Sequence, residues 1–483
     1  MLIEMLKLLN KQNSDIMWII IKDIYDTKEL NPFYRQVIIS LLAKAGKSHM
    51  AKGWRPITLV TMICKIISRI VYVRIRDKAD SILDDSQNGF RKYRRTTEAI
   101  LQLRNLSERS KEAKKKLFVA FIDLQVAFDT VSRELVHEVL EYYDFPKSER
   151  EMIISLYDRT FYNLRRGGED DDETMFGTIG LPQGTALSPV LFNLVMNYVL
   201  DTMDLDDKIK LITMFTENGE KIEPENQTTF LMDRLLYADD IALLATTKAA
   251  LQKKLNTINQ AFLRHGLLMS GEKTEWMVFN DTFKKEKIML EDVKKLNRVN
   301  EFIYLGSVFT PDCKCDEDVN RRIKLAHIAI RPLNGLLWSN KLSRKRKVKL
   351  IKCFTYPILS YSCECWTLTA PAKKLLNVVW MKFMRRCYGA TLLDRVRNQD
   401  ILDTLEEDNL VDIIADRRQR FAAHCYRMGN GRVTKRILTA SYPEQNQKFI
   451  SGWNSWRKQT FGELKGLTNA EVKGYFSKDK DNY

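Results

Sequence analysis

Two apolar, β-prone runs that carry acids constrain this chain most. LFVAFID closes on Asp123, and LLYADDIALLA holds Asp239 and Asp240 more than a hundred residues later. Runs of this length and composition read as strands, so they are candidate neighbours in one sheet. Carboxylates set among such residues are costly to desolvate unless a cation neutralises them. A metal site is therefore the economical reading. The bland alternative, a helix cap or solvated turn acid, weighs about as much for the Asp-Asp pair taken alone.

At 483 residues and 45% hydrophobic composition, the chain exceeds the size at which one core stops growing, so two to four packed subdomains are expected. Lys and Arg number 78 against 62 Asp and Glu, a formal charge of +16, which points to a polyanionic partner, nucleic acid first. The eight cysteines include no Cys-x-x-Cys spacing. The pairs Cys313/Cys315 and Cys363/Cys365 are weak metal signals, and reduced thiols are the expected state. Acids and lysines run through the apolar N-terminal segment, so it reads as an amphipathic helix and neither a signal peptide nor a membrane span. The expected location is nucleus or cytoplasm, with no secretion.

Apolar spacing predicts two helices before about residue 45, with Leu2, Met5, Leu8 and Leu9 on the first and Met17, Ile20, Ile21 and Ile24 on the second. A short extended piece and a helix follow over 54–80, then helices over 133–160 and 186–205. An acidic turn over Gly167–Glu173 breaks a hairpin, and its acids read as solvated charge. Past about 310 the pattern is helical, with seven basic residues between Lys341 and Lys352 and Leu342, Val348, Leu350 and Ile351 available as anchors.

Chemistry run by two divalent ions about 4 Å apart, nucleotidyl transfer included, needs a third carboxylate beside the local pair. Asp123 supplies it, and Mg²⁺ is the hard cation suited to carboxylate oxygens. Glycines 180 and 184 with Pro182 around Gln183 make a side-chain-poor loop before a helix, where a base pair can approach the backbone. Lys273 is a cation where triphosphate charge could be met, or an exposed lysine on a strand rim.

Taken in order, GWRPITLVTMICKIISRIV, SQNGFRKYRRTTEAI, FIDLQVAFDTV, GLPQGTALSPVLFNL, LLYADDIALLA, GEKTEWMVF and FIYLGSVFT resemble the fingers and palm motifs of reverse transcriptases of the non-LTR, LINE-type retrotransposons. NRRIKLAHIAI, YPILSYSCECWTLT and RRQRFAAHCYRMGNGRVTKRIL resemble the thumb and C-terminal region of RTE-like elements. The resemblance covers nearly the whole chain. It implies an α+β right-hand polymerase with fingers at 1–115, palm at 116–310, helical thumb at 311–400 and C-terminal extension at 401–483. The palm sheet should be mixed or antiparallel, with helices on one face.

The implied activity is RNA-directed DNA synthesis with two Mg²⁺ ions, Mn²⁺ able to substitute, using an RNA template, a DNA primer or nicked target DNA, and dNTPs. Asp123, Asp239 and Asp240 are the implied catalytic metal ligands. Phe128, Gln183, Lys273, Arg55 and Arg91 are the implied nucleotide contacts, with Phe128 under the sugar as a filter against the 2′-hydroxyl. Arg94, Arg95, Gly184, Tyr237, Gly306, Arg344, Lys345, Arg346 and Lys347 are the implied nucleic-acid contacts. Ser188-Pro189 would open the helix behind the template, while Trp54 and Phe90 read as core or hinge aromatics.

Two departures stand out. Where such elements often read Asp-Leu-x-Lys-Ala-Phe-Asp, this chain has Gln125-Val126-Ala127, losing a basic side chain beside the metal site. Nothing resembling the endonuclease these elements carry ahead of the polymerase precedes Trp54, so a fragment, a decayed copy or a stand-alone gene is expected. A decayed retroelement-derived nucleic-acid-binding protein is the rival from another class, and RNA-directed RNA synthesis a third reading.

Overall fold

A computed structural model describes residues 11–43, 53–158, 160–166, 169–203, 205–213, 222–281, 287–290, 294–442 and 455–464. The strands, in chain order, are β1 Gln36–Ala43, β2 Trp54–Val60, β3 Leu117–Ile122, β4 Thr160–Arg166, β5 Glu169–Gly177, β6 Ile209–Thr213, β7 Thr229–Met232, β8 Arg234–Tyr237, β9 Asp240–Ala245, β10 Glu275–Phe279, β11 Ile288–Leu290, β12 Lys294–Arg298, β13 Phe302–Tyr304, β14 Ser307–Phe309 and β15 Ala440–Ser441.

The central sheet has the order β11-β12-β10-β3-β9-β8. Its β10/β12 pair is parallel and its other pairs antiparallel, so it is mixed. Every residue of β3 is buried. Phe118, Ala120 and Ile122 face a core shared with the helices Met62–Ile82, Arg133–Tyr142, Ser188–Asp201 and Lys248–Arg264. Leu117, Val119 and Phe121 face a second core built from the helix Thr96–Glu112 and the C-terminal helices Leu410–Arg427 and Val433–Thr439. That double covering explains why LFVAFI is continuously apolar: a strand buried on both faces has no polar side to alternate with. The expectation of one helix-backed face is corrected accordingly.

Other boundaries shift for the same non-local reasons. The second predicted N-terminal helix, with Met17, Ile20, Ile21 and Ile24, is the helix Lys11–Thr27, whereas residues 36–43, inside the same helical reading, form β1, which pairs antiparallel with β2 and parallel with β4. Leu2, Met5, Leu8 and Leu9, assigned to the first predicted helix, lie outside the described residues. β4 and β5 come from inside the expected palm, yet they complete the sheet β2-β1-β4-β5. Glu169–Glu173 therefore lie along a strand backbone and not in a turn. β15, from the expected C-terminal extension, pairs with β6. The helical module past 310 has its own core around Trp366, Trp380 and Phe383. Among the described residues no helix is long and apolar enough to cross a membrane.

Candidate active site

β3 and β9 pair antiparallel with Ile122 opposite Ile241, and continuing that register sets Asp123 across from Asp240. β8 and β9 form a hairpin closed at Tyr237↔Asp240 by the two-residue turn Ala238-Asp239. The acids 123, 239 and 240 are thereby brought to one end of the central sheet. Each strand delivers its acid because its apolar residues are consumed by the cores on either face.

Ala238 takes φ +57 at the first turn position, where glycine is the ordinary occupant, and such backbone strain costs of order 1 kcal/mol. The surroundings hold it. Ala238 N–H donates to Gln87 Oε1 at 2.9 Å, and Gly89 N–H donates to the same oxygen at 2.8 Å. A Cβ on Gly89 would stand 2.3 Å from Ala238 N, so only glycine allows this approach. Asn88 N–H donates to Leu236 O at 2.9 Å, and Leu236 N–H to Ser86 O at 3.1 Å, which lays the segment 86–88 beside β8. Sequence reasoning missed Gln87, since Ser-Gln-Asn-Gly carries only a turn signal.

Three negative groups share this end of the sheet, and their electrostatics show it. Asp240 keeps an exposed edge, yet shielding by its crowded surroundings, then Asp239, then Asp123, push its carboxyl up to about 6. Burial and the Asp123 charge also raise Asp239, against the opposing pull of its own backbone N–H, Lys273 and Arg55. Lys273 Nζ donates to Asp123 Oδ2 at 2.9 Å. It sits in the turn before β10 and not on the strand. Asp123 is further anchored through its backbone, whose N–H donates to Thr274 Oγ1 at 3.4 Å and whose carbonyl accepts from Ser270 N–H at 2.8 Å. Among the described residues no three His, Cys, Asp or Glu side chains close around a single ion position. The acids nevertheless fit a hard cation chemically: oxygen donors only, with mutual repulsion that a cation relieves.

The loop 180–184 packs between two elements. Gly180 N–H donates to Val131 O at 2.9 Å and Leu181 N–H to Phe128 O at 2.8 Å. Thr58 N–H donates to Gln183 O at 2.9 Å, and a Cβ on Gly184 would lie 2.3 Å from Thr58 O. The strand β2, with exposed Arg55, is thus seated against this loop. Gln183 Nε2 points to the Asp129 carboxylate at 3.3 Å. Phe128 stacks on buried Phe192 at 4.5 Å and meets Phe90 edge-on at 6.4 Å, with its ring half-buried. Phe90 itself is exposed at φ +55, which corrects the core half of its reading as a core or hinge aromatic.

The basic residues divide. Arg91 gives Nε to Asp80 at 2.7 Å and its remaining donors to the carbonyls of Asp80, Leu83, Asp84 and Gln87, with its side chain 4% exposed. Arg94 is likewise spent on Asp85, through the carboxylate at 2.8 Å and the carbonyl at 2.7 Å. Both act as braces of the 80–95 loop, against the expectation that they grip phosphate. Arg95 precedes the helix Thr96–Glu112 and faces His424 and Cys425, whose ionisation its charge influences.

Tyr237 is half-buried beside Tyr361. Leu305 and Gly306, both at positive φ, close the β13/β14 hairpin. Phe302 stacks on Phe121 of the central sheet at 3.8 Å, while Tyr361 Oη and Arg321 donate to the carbonyls of Leu305 and Gly306. In the helix Arg344–Leu350, Lys345 and Arg346 are exposed, Arg344 lies 4.1 Å over the Tyr388 ring, and Lys347 is buried, contrary to its expected place on the backbone-binding surface. Cys313, Cys315, Cys363 and Cys365 are buried thiols, and burial pushes Cys313 up to about 12 and Cys315 up to about 11.

Residues 42–309, more than half the chain, match the sequence profile of the family described as reverse transcriptase (RNA-dependent DNA polymerase). The chain is similar to the RNA-directed DNA polymerase from mobile element jockey of Drosophila funebris, 24% identical over 377 residues, covering 74% of this chain and 38% of that protein. It is also similar to the retrovirus-related Pol polyprotein from type-1 retrotransposable element R2 of Nasonia vitripennis, 25% identical over 290 residues, 58% of this chain and 26% of that one. It therefore spans well under half the length of these relatives. Among solved structures, the Candida albicans telomerase with the TWJ fragment of telomeric RNA aligns at 11% identity and a TM-score of 0.41, covering 80% of this chain and 68% of that one.

Proposed function

The chain belongs to the reverse transcriptase (RNA-dependent DNA polymerase) family, and we propose that it copies an RNA template into DNA by adding deoxynucleotides to a primer 3′ end. The observation that carries the reading is the register that sets Asp123 opposite Asp240, beside the turn holding Asp239. Asp123, Asp239 and Asp240 would hold two Mg²⁺ ions, with Mn²⁺ able to substitute. Bound there, the ions supply activation of the primer hydroxyl and neutralisation of the triphosphate.

This chain's own residues do the rest. Lys273 fixes the Asp123 carboxylate in place at 2.9 Å and puts a positive charge at the edge of the site. Arg55, exposed on β2 and close enough to influence Asp239, presents a guanidinium fork suited to triphosphate oxygens. Phe128, braced by Phe192, lies five residues beyond Asp123, where its ring would pack under the sugar. The partners are an RNA template, a DNA primer or nicked target DNA, and dNTPs.

Purified protein offered oligonucleotide-primed RNA with dNTPs and Mg²⁺ tests this directly. Extension should occur and should fall by at least about a thousandfold in Asp123→Asn or Asp239→Asn. Template-primer affinity should stay within about twofold, since binding is carried by basic residues elsewhere. A wild-type protein that binds the duplex but extends no primer would leave the decayed nucleic-acid-binding reading in its place.

A further inference from the structure

We propose that Gln87 is a positioning residue for the aspartate turn, and that the C-terminal helix Val433–Thr439 sets it from afar through a buried relay, Thr434–Gln102–Asn88. The proposal rests on the polymerase reading of that turn. Every member of the relay is at most 2% exposed, so no water stands in for a broken link.

The direction of each bond is fixed by the one before it. Arg432 donates to Glu98 Oε2 at 2.6 Å, and Thr434 Oγ1 donates to the same oxygen at 3.3 Å. Having spent its proton there, the Thr434 hydroxyl can only accept from Gln102, whose Nε2 lies 2.7 Å away. That choice turns Gln102 Oε1 toward Asn88 Nδ2 at 3.1 Å, and Asn88 Nδ2 also donates to Ser86 O at 2.9 Å. Asn88 and Ser86 are the two residues whose backbones clamp Leu236 of β8. With that segment fixed, Gln87 Oε1 arrives between the N–H groups of Ala238 and Gly89. Gln87 is thus the acceptor that stabilises the strained Ala238, and Ala238 precedes both aspartates of the turn.

The relay joins residues more than 300 apart in sequence, since Gln102 and Thr434 are separated by 332 positions. A displacement of about 1 Å at a reacting centre is enough to cost orders of magnitude in rate. A C-terminal helix that holds this geometry therefore positions the aspartate turn from a distance without touching substrate.

The test uses the full chain with Gln87→Leu, Thr434→Val, Thr434→Ser and the Gln87→Leu/Thr434→Val double variant. On primed RNA, Gln87→Leu should lower turnover at least about tenfold and Thr434→Val at least about threefold. Template-primer affinity and the KM for dNTP should hold, and Thr434→Ser, which keeps the hydroxyl, should match wild type. Because both act on one turn, the double variant should be no slower than Gln87→Leu within about twofold.

Hydrogen exchange gives a readout independent of activity. The amides of Leu236–Asp240 should exchange at least about tenfold faster in Thr434→Val than in wild type or Thr434→Ser. Turn amides that exchange at the wild-type rate in Thr434→Val, or rate losses that multiply in the double variant, overturn the relay. Should Thr434→Val fail to fold, Gln102→Met breaks the same relay and is read the same way. A wild-type protein that extends no primer refutes the polymerase reading alone, and the exchange comparison still decides the relay.

Discussion

Val126 occupies left-handed backbone at φ +49 and is 62% exposed. A β-branched residue gains little there from burial and bears a steric cost. Asparagine adopts this conformation readily, so Val126→Asn should raise stability by about 0.5–1 kcal/mol, read from the urea midpoint at unchanged m. Phe128, two residues on, poses a question of specificity. Its stack on Phe192 makes Phe128→Val destabilising whether or not the ring filters sugars, so stability does not discriminate. If the ring fills the space a 2′-hydroxyl needs, Phe128→Val raises the ribonucleotide to deoxyribonucleotide ratio of kcat/KM at least about tenfold, about 1.4 kcal/mol. An active variant with an unchanged ratio removes the filter. At this scale the acids were legible because apolar neighbours betray an expensive carboxylate. Gln87, Arg91 and Arg94 were not, because a side chain's partner across the fold leaves no mark on its own neighbours in sequence.

At the scale of elements, the basic helix Arg344–Leu350 separates into charges that face solvent and charges that do not. Lys345, Arg346 and Lys349 are exposed, while Lys347 is buried beside Val348 and its charge raises no solvated face. Replacing Lys345, Arg346 and Lys349 by Gln should lower the slope of log K against log salt for template-primer binding by about two to three, with folding unchanged. Lys347→Gln should leave that slope alone and appear in thermal unfolding instead. An unchanged slope in the triple variant would make this a solvated helix face without a nucleic-acid role. Periodicity located this helix and its anchors Val348 and Ile351, both buried as expected. It failed for β1, whose apolar residues suit helix or strand equally and whose state is decided by pairing with β2 and β4.

Across the whole molecule, the helix Thr96–Glu112 is the shared post. Fourteen of its seventeen residues are buried, because the central sheet lies on one side and the C-terminal helices on the other. Its charged residues are met from distant segments: Glu108 accepts from Thr367 Oγ1 at 2.7 Å and from Trp456 N–H at 2.9 Å. Burial pushes Glu108 up to about 7 from its ordinary 4.5, against the pull of those two bonds. An acid raised in this way gives its full stability below about pH 4.5, and that contribution is lost as pH rises through 7, about 3 kcal/mol in all. Glu108→Gln keeps the amide oxygen for Trp456 N–H and lets Thr367 Oγ1 accept, with nothing left to ionise. Its unfolding free energy should therefore vary less between pH 5 and pH 8 than that of wild type, and at pH 8 it should be the more stable of the two. A variant with the same pH slope as wild type would show that Glu108 ionises freely in place.

By itself the sequence determined that acids 123, 239 and 240 lie at the ends of apolar strands or in the turn between them, that the fold mixes helix and sheet, and that the described residues past about 310 are mainly helical. Each of these follows from local composition, since burial selects apolar residues and the helical and strand periods differ. Only the tertiary structure decided which faces are covered, which arginines are braces, and that β4, β5 and the C-terminal helices belong to layers numbered far from them. Those outcomes depend on pairing across hundreds of residues, and pairing energy resides in complementary surfaces that meet only once the chain has folded.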